Sequence, residues 1–599
     1  MKSLIRAALL LGVFSGAVEI AVRAQPRLGL SLGEVLVWLA LGVGTSLVVT
    51  MPAAVVAALL EKRGLTTRGV GLIASALMAL HLALWYRFSI VLNLSATDPK
   101  VLGGLAAAAL VSLAVGLLAD PLLRRGERAL GIVAALAVVV AFVRAQPPGD
   151  LAGDERPNVL LVTFDTTRAD RIGVYGGNAV TPNLDSLAAE GARFETAVAG
   201  APLTEASHLT IHTGLPVYQT GVYANGTILG ERPRMLSHQF QAAGYRTGAV
   251  VSGFPLHGKY GWTQGYDIYD DDFGATPGMH RLSLVKAWDQ LTLPGNTLRE
   301  RPGRIAIDRA LGFLNRYQEG PFFLWVHLFD PHAPYEVSDE ELAAAPRDGE
   351  ALDLPFYWPP PHRSITSEEW LVDAYEREIG YTDSLLGELL DSLRDSGRFE
   401  NTIIAMTADH GESLDEHDYL FDHGDYLYDA SLLVPLIFRG PGVRAGVVQG
   451  CQVSLVDVAP TLLDLANLPE LEDHLGEGQS LSNEVAGGIC VERPALASNV
   501  AARHTDNPPV DHALRGSLDH GEELGMRSSK YILHGAGGES LFDLGVDPRE
   551  ESNLSEERPD PTSQARAVIE QLLEGGGEVE IAERDPATIE ALRALGYLE

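Results

Sequence analysis

The chain has 599 residues, a formal charge of −34 and two cysteines, so it is long enough for more than one structural unit and has too few cysteines for a disulfide framework. Cys451 and Cys490 could still pair in an oxidising compartment. Residues 1–150 carry 13 Lys and Arg against 7 Asp and Glu, whereas the other 449 residues carry 32 against 72. The acidic larger part argues against nucleic acid as a partner, because phosphate backbones are bound by basic surfaces.

Residues 1–145 are predicted to form a transmembrane helical domain. They contain five long apolar stretches, each near the roughly 20 residues that a bilayer-spanning helix requires, although the last is short. A secretory signal would account for the first stretch only, because four more follow it. The stretches cover approximately residues 4–22, 35–60, 70–93, 101–119 and 129–143.

Basic residues predict the orientation of these spans, since loops rich in Lys and Arg stay in the cytoplasm. The segment at the first stretch and the loops after the second and fourth are the basic ones, so the N-terminus is expected in the cytoplasm. Five spans then place the remaining chain in the periplasm or outside the cell, whereas a miscount of one span would reverse this. We therefore expect a multi-pass cell-membrane protein. The basic residues are Lys2, Arg6, Lys62, Arg63, Arg68, Arg124, Arg125 and Arg128.

Beyond a linker at residues 146–157, which is rich in Pro, Gly and charge, the pattern changes. Continuous apolar runs, typical of strands buried on both faces, alternate with helical patterns. This alternation predicts an α/β domain in which helices sandwich a largely parallel sheet. The predicted strands are 158–164, 246–252, 322–329, 402–408 and 434–438, and the predicted helices include 183–194, 304–317 and 370–396.

The outer part is predicted to contain three units. They are a catalytic domain at residues 158–498, a C-terminal subdomain at 499–560 and a helical tail at 561–599. The stretch 499–526 is rich in Asp, His and Pro, and this composition predicts a surface loop.

Polar residues that follow two of the predicted strands indicate where the active site lies. In an open sheet of this kind, ligands gather beyond the carboxyl ends of the strands, and both Asp165 and the pair Asp409–His410 follow predicted strands. A lone Asp there is usually a turn or cap residue, but carboxylate oxygens and an imidazole nitrogen are also ordinary ligands of divalent metal ions. Arg168 and Asp170 are expected to form a local ion pair that supports the first of these loops.

Thr204 opens a short helical pattern that ends at Gly214. Taken alone, it is interpreted as a helix cap. Beside a metal ion, however, its hydroxyl could complete the ligand shell and lose its proton, because the ion would lower its pKa. The positive end of the helix would favour a developing anion at the same place. Thr204 is therefore also a candidate nucleophile, and the two roles are compatible.

Six segments of the outer part, in chain order, are NVLLVTFDTTRADRIGVYGGNAVTPNLDSLAAEGARF, APLTEASHLTIHTGLPVYQTGV, FFLWVHLFDPHAPY, TADHGESLDEHDYLFDHGDYLYDASLLVPLIFRGPG, VSLVDVAPTLLDLANLP and LFDLGVDPREESNL. Together they resemble the sulfatase branch of the alkaline phosphatase superfamily. The first four are similar to its opening strand with a metal-binding aspartate, its nucleophile segment, its substrate-side histidine motif and its second metal motif. The resemblance implies an alkaline phosphatase-like fold and an ester hydrolase.

Carried over residue by residue, the resemblance implies one divalent metal cation and a nucleophile at Thr204. Thr166 replaces the second aspartate of the family's usual pair, and Thr204 stands where sulfatases carry the Cys or Ser that is oxidised to formylglycine. This combination is similar to Thr-nucleophile relatives, among them phosphodiesterases and lipid-dependent transferases of bacterial envelopes. Calcium is the family's usual ion, but a His ligand favours zinc or manganese. The implied metal ligands are Asp165, Thr204, Asp409 and His410.

Three histidines are the other candidate catalytic residues that the resemblance implies. His208 falls where the family motif has an Arg, His332 would contact the anion or protonate the leaving oxygen, and His423 lies near a family Lys or His that grips the anion. Each could instead be an ordinary core or loop histidine. His327, inside an apolar run, is expected to be a core histidine, and His417 is expected to be structural.

These observations lead to three functional hypotheses. In the first, a membrane-anchored, metal-dependent hydrolase cleaves a sulfate or phosphate ester: Thr204 attacks in line, a covalent Thr ester forms, His332 protonates the leaving alcohol and water releases the anion. In the second, the same first step serves an envelope phosphoethanolamine- or phosphoglycerol-type transferase with a membrane lipid as donor. In the third, the chain is a non-catalytic scaffold without metal ligands. The oligomeric state stays open.

Overall fold

The structure is a computed structural model that describes residues 155–230, 234–273, 300–355, 357–469, 478–500, 510–516 and 528–574. The five apolar stretches within residues 1–145, on which the transmembrane prediction rests, lie outside these ranges, as does most of the linker. None of the helices within these ranges is long and apolar enough to cross a bilayer.

An eight-stranded sheet forms the centre of the outer part, in the order β4-β3-β5-β1-β6-β7-β2-β8. Every neighbouring pair is parallel except the two pairs that β7 makes, with β6 and β2. The prediction of a largely parallel sheet is therefore confirmed. The strands are β1 Asn158–Phe164, β2 Ala192–Val198, β3 Arg246–Val250, β4 Ile268–Asp270, β5 Phe322–Leu328, β6 Thr402–Ala408, β7 Leu433–Arg439 and β8 Val447–Ser454.

Helices cover both faces of this sheet. On one face, α5 and α7 pack against apolar side chains of β1 and β5 and form one hydrophobic core with them. On the other face, His212 of α2 contacts Trp325 and Phe240 of α4 contacts Phe323, and α9 packs against α2. The helices are α1 Pro182–Ala189, α2 Thr204–Thr213, α3 Val217–Thr220, α4 Leu236–Ala242, α5 Gly303–Arg316, α6 Asp339–Ala344, α7 Glu368–Asp395, α8 Asp429–Leu432, α9 Val458–Leu465, α10 Ser482–Val485 and α11 Pro559–Leu573.

The helix predicted at 183–194 is too long. The structure ends α1 at Ala189 and begins β2 at Ala192, with Gly191 between them. A Cβ on Gly191 would lie 2.1 Å from the carbonyl oxygen of Phe438, so only glycine allows the chain to approach β7 this closely. The apolar residues after Gly191 thus belong to a strand pairing, which the helical periodicity of the segment did not reveal.

A second, antiparallel sheet of four strands, in the order β12-β11-β10-β9, follows the main sheet, and α11 packs on it through Ala565 and Ile569. Its strand β10 corrects the prediction of a surface loop at 499–526, because residues 510–516 pair on both sides and are mostly buried. The expected domain boundary at 498/499 lies inside β9. The strands are β9 Ala495–Val500, β10 Val510–Gly516, β11 Ser529–Leu533 and β12 Glu539–Asp543.

Two further features bear on the sequence predictions. Cys451 on β8 and Cys490 form a disulfide, with their Cα atoms 5.9 Å apart. The predicted helical tail at 561–599 overlaps α11, and residues 575–599 lie outside the described residues.

Candidate active site

The register of the central strands brings the two predicted strand ends together. β1 lies between β5 and β6 in parallel, and Phe164 at its end is opposite both Leu328 and Ala408. The next residues, Asp165 and Asp409, therefore leave the sheet side by side.

Asp165, Asp409 and His410 form a compact, buried group. One ligand atom from each lies within 4.8 Å of the other two, and all three residues have no exposed surface. The Nε2 atom of His410 lies 3.6 Å from Oδ2 of Asp409 and 4.0 Å from Oδ1 of Asp165. Its Nδ1–H donates to the carbonyl of Gly411 at 2.9 Å, so Nε2 presents a lone pair to the two carboxylates.

Each carboxylate has one oxygen held by the protein and one that faces the group. Oδ1 of Asp409 accepts the backbone N–H groups of Thr166 and His410, at 3.2 and 2.8 Å, and Oδ2 of Asp165 lies 3.0 Å from Nε2 of His327. Within the described part of the chain, the other two oxygens, Oδ1 of Asp165 and Oδ2 of Asp409, have no hydrogen-bond partner. Buried polar atoms are rarely left in this state.

The electrostatics of this group favour a cation. Burial, with a further contribution from Glu412, raises the pKa of Asp165 well above its ordinary value, and burial together with Asp165 does the same for Asp409. Two buried carboxylates that repel each other are stabilised by a positive charge between them. The donor set of two carboxylate oxygens and one imidazole nitrogen fits a divalent metal ion.

Thr204 is the first residue of α2, not its cap. The N-cap is Leu203, and no side chain caps this helix end, so the interpretation of Thr204 as the capping residue is wrong. Its Oγ1 is buried and has no hydrogen-bond partner among the described residues. The first turn of α2 is joined to the end of β6, because the hydroxyl of Ser207 donates to the carbonyl of Asp409 at 2.5 Å. A hydroxyl that caps nothing therefore lies on the helix turn that contacts Asp409.

His208, on the same helix, is fully buried. Its Nδ1–H donates to the carbonyl of Thr204 at 2.8 Å and lies 3.4 Å from Oδ2 of Asp409. Its Nε2 accepts from the hydroxyl of Thr163, which in turn accepts from Trp325, both at 3.0 Å. Burial lowers the pKa of His208 well below its ordinary value, so the ring is neutral and joins α2 to the sheet.

His327 is the buried core histidine that its apolar run predicted, but it also contacts a candidate metal ligand. Its Nδ1 accepts the backbone N–H of Ser252 at 3.3 Å, so the proton lies on Nε2, which donates to Asp165. Burial lowers the pKa of His327 to about 3, which keeps the ring in this neutral form. An imidazole in this place orients a metal-binding carboxylate. No sequence pattern indicated this contact.

His332 and His423 lie next to the group, on two different loops. The ring of His423 is 4.6 Å from that of His410 and 4.8 Å from that of His332, between centroids. His332 stacks on Phe329 at 4.2 Å, and its Nδ1–H donates to the carbonyl of Ala333. The structure thus places His423 against His410 and His332 against His423, whereas His208 contacts Asp409 and the carbonyl of Thr204.

Glu412 is a residue of this site that the sequence analysis missed. It has no exposed surface, and its Oε1 lies 3.3 Å from Nδ1 of His423 while Oε2 accepts from the hydroxyl of Tyr335. Burial raises the pKa of Glu412 to about 8. Its position two residues after His410 was the sequence feature that could have identified it as a site residue. Only the fold shows which histidine it contacts.

Arg168 does more than the predicted ion pair. It pairs with Asp170 at 2.9 Å as expected, and its guanidinium also reaches Glu416 at 2.8 Å and the carbonyl of Glu412 at 3.2 Å. The side chain is buried and carries a full charge. Arg168 therefore joins the loop that follows β1 to the loop that follows β6, on which the candidate ligands lie.

Comparisons with known proteins show what this chain is similar to. The family model described as Sulfatase matches residues 157–468. Arylsulfatase K of Bos taurus is 26% identical over 496 residues, covering 73% of this chain and 87% of the relative. Choline-sulfatase of Rhizobium meliloti (strain 1021) is 27% identical over 452 residues, covering 68% and 84%. The crystal structure of the phosphonate monoester hydrolase of Agrobacterium radiobacter has a TM-score of 0.53 at 20% identity, covering 70% of this chain and 95% of that one, which shows a shared fold.

Proposed function

Because this chain belongs to the sulfatase family, we propose that it is a membrane-anchored, metal-dependent hydrolase that cleaves a sulfate or phosphate ester through Thr204. The proposal is carried by two buried carboxylate oxygens, one of Asp165 and one of Asp409, that have no hydrogen-bond partner among the described residues. They lie beside His410 and next to the helix turn that begins with Thr204. A structural turn at either strand end would pair these oxygens with backbone N–H groups.

Asp165, Asp409 and His410 are the residues that would hold the cation, with Thr204 as a fourth ligand. The His ligand favours zinc or manganese over calcium, which prefers oxygen ligands alone. When bound, such an ion would lower the pKa of the Thr204 hydroxyl and neutralise negative charge on the ester oxygens. His327 and the backbone N–H groups of Thr166 and His410 would orient the carboxylates.

The residues of the chain account for the remaining steps. Oγ1 of Thr204 forms a bond to sulfur or phosphorus as the bond from that atom to the alcohol oxygen breaks, and the N-terminal end of α2 favours the negative charge. The alcohol oxygen takes a proton from His332 or its neighbour His423. A water molecule then attacks the sulfur or phosphorus of the Thr204 ester, the same imidazole takes a proton from the water, and the bond to Oγ1 breaks to release the anion. His208 holds the carbonyl of Thr204 throughout.

The choice between sulfate and phosphate is part of the experiment. The relatives named above are an arylsulfatase, a choline-sulfatase and a phosphonate monoester hydrolase, so both sulfur and phosphorus centres occur in this fold. The five apolar stretches of residues 1–145 favour a membrane anchor and keep a lipid donor as the second candidate, with transfer to an alcohol or sugar in place of hydrolysis.

The test uses the purified full-length protein, loaded with zinc or manganese and given aryl sulfate and aryl phosphate reporters. We expect turnover in water, a loss of at least about a thousandfold in Thr204→Ala, and activity within tenfold of wild type in the control Thr213→Ala, a buried threonine at the other end of α2. Activity retained in Thr204→Ala would contradict the proposal. A Thr204 adduct formed from phospholipid, without reporter turnover, would favour the transferase.

A further inference from the structure

Thr166, the residue directly after Asp165, has an unfavourable backbone conformation. Its φ is +48°, in the left-handed region, and among the described residues it is the one β-branched residue with a positive φ. A branched Cβ crowds the neighbouring backbone there, so threonine adopts this conformation at an energetic cost that glycine does not have. The side chain offsets none of this cost by hydrogen bonding, because Oγ1 is buried and has no hydrogen-bond partner among the described residues. Contacts of the backbone must therefore hold Thr166 in place.

The backbone of Thr166 joins the candidate metal ligands to α7. Its N–H donates to Oδ1 of Asp409 at 3.2 Å, and its carbonyl accepts from the hydroxyl of Tyr375, on α7, at 2.6 Å. The left-handed turn makes both contacts possible directly after Asp165, where an extended residue would continue the direction of β1. A change in this φ would therefore move one of the two contacts and, with it, the link between Asp165 and Asp409.

The hydroxyl of Tyr375 makes two hydrogen bonds to this loop. Besides donating to the carbonyl of Thr166, it accepts the backbone N–H of Arg168 at 3.0 Å. The side chain has no exposed surface, and its ring lies 5.4 Å from that of Tyr335, between centroids, in the core that α7 forms with the sheet. Because packing fixes the ring, the hydroxyl has little freedom to follow a change in the loop. Tyr375 therefore favours one backbone conformation at Thr166.

Resting on the proposed function, we propose that Tyr375 is a positioning residue of the metal site, and that its hydroxyl keeps Thr166 in the left-handed conformation. Through Thr166 it sets the orientation of the carboxylates of Asp165 and Asp409. In Tyr375→Phe the ring stays, but the carbonyl of Thr166 and the N–H of Arg168 lose their partner. Thr166 can then relax toward a negative φ, and its N–H leaves Oδ1 of Asp409. The cation is bound more weakly, because the carboxylates that would hold it are less well oriented.

The test measures the dissociation constant of zinc for the purified full-length protein, by competition with a chromophoric chelator. We expect Tyr375→Phe to raise this constant about tenfold, the lower end of the loss seen when a group that orients metal ligands is removed. Added to Thr166→Val, the same substitution should again raise the constant about tenfold, because valine is also β-branched. Added to Thr166→Gly, it should raise the constant by less than about twofold, because glycine adopts a positive φ without strain.

Tyr175→Phe is the matched control. The hydroxyl of Tyr175 also donates to a backbone carbonyl and accepts a backbone N–H, both of Leu436, at 3.2 and 3.0 Å. Leu436 lies on β7, which bears no candidate metal ligand. The dissociation constant of zinc in Tyr175→Phe should stay within about twofold of wild type, and thermal unfolding checks that both tyrosine variants are folded.

The outcomes separate this inference from the proposed function. An unchanged constant in Tyr375→Phe overturns the inference, and so does an equal rise in the Thr166→Gly background or in Tyr175→Phe. In each of these cases, zinc binding and ester turnover by the wild-type protein would leave the proposed hydrolase in place. If the wild-type protein binds neither zinc nor manganese, the proposed function fails and the inference fails with it.

Discussion

Replacing His327 by Phe tests whether a core histidine controls the affinity of the proposed metal site. The neutral ring of His327 donates one hydrogen bond to Oδ2 of Asp165 at 3.0 Å. Phe keeps an aromatic ring against Phe329 and Trp325 but removes this donor. A hydrogen bond to a charged group contributes about 1.5–3 kcal/mol. Because Asp165 would then be less well oriented, we expect the dissociation constant of the bound cation to rise about 10- to 100-fold.

The assay is competition between the full-length protein and a chromophoric chelator for zinc. The matched control is His212→Phe. His212 is equally buried, its ring lies 4.3 Å from that of Trp325, and neither of its nitrogens has a hydrogen-bond partner among the described residues. Its dissociation constant should stay within about twofold of wild type, because it orients no ligand. An unchanged constant in His327→Phe, or equal losses in the two variants, would refute the argument.

Two further predictions concern buried charge. Burial, with the carboxylates of Asp330 and Glu336, raises the pKa of Glu378 to about 8. Between about pH 4.5 and 8, Glu378 therefore keeps its proton in the folded protein but loses it in the unfolded chain. The free energy of unfolding falls as the pH rises through this range. Glu378→Gln should therefore raise the Tm of the full-length protein at pH 8.5 more than at pH 5, and equal shifts at the two pH values would count against this. Lys530→Met removes a fully buried ammonium that lies 2.9 Å from both Asp429 and Glu550. We expect thermal unfolding to show a loss of about 3 kcal/mol in the free energy of unfolding. A loss below about 1 kcal/mol would show that Arg515 alone satisfies Asp429.

The place of Lys530 also indicates how the second sheet supports the site. Its partner Asp429 begins α8, directly after the loop that carries His423. Arg515 on β10 pairs with the same carboxylate at 3.0 Å, and the side chain of Asn499 donates to the carbonyl of Gly424. The antiparallel sheet therefore holds the far end of that loop by hydrogen bonds and ion pairs.

Much of the fold could be predicted because the central strands are buried on both faces. β1 and β6 have the predicted bounds, since every residue in them is apolar or a buried small polar residue between clear turns. β2 and β8 were missed: β2 begins within a helical pattern, and β8 has alternating partly exposed residues that give no continuous run. β7 was predicted as a strand, but its antiparallel direction depends on pairing and not on composition.

By itself, the sequence determined which groups stand at the strand ends. Asp165 and Asp409–His410 follow buried apolar runs, and the carboxyl ends of parallel strands meet at one edge of a sheet, so their proximity followed from local pattern and topology alone. Only the tertiary structure decided that Thr204 caps no helix and that Glu412 contacts His423. Only the tertiary structure could show the contact of His327 with Asp165 as well. These contacts depend on side-chain distances between segments far apart in the chain, and packing sets such distances, not periodicity.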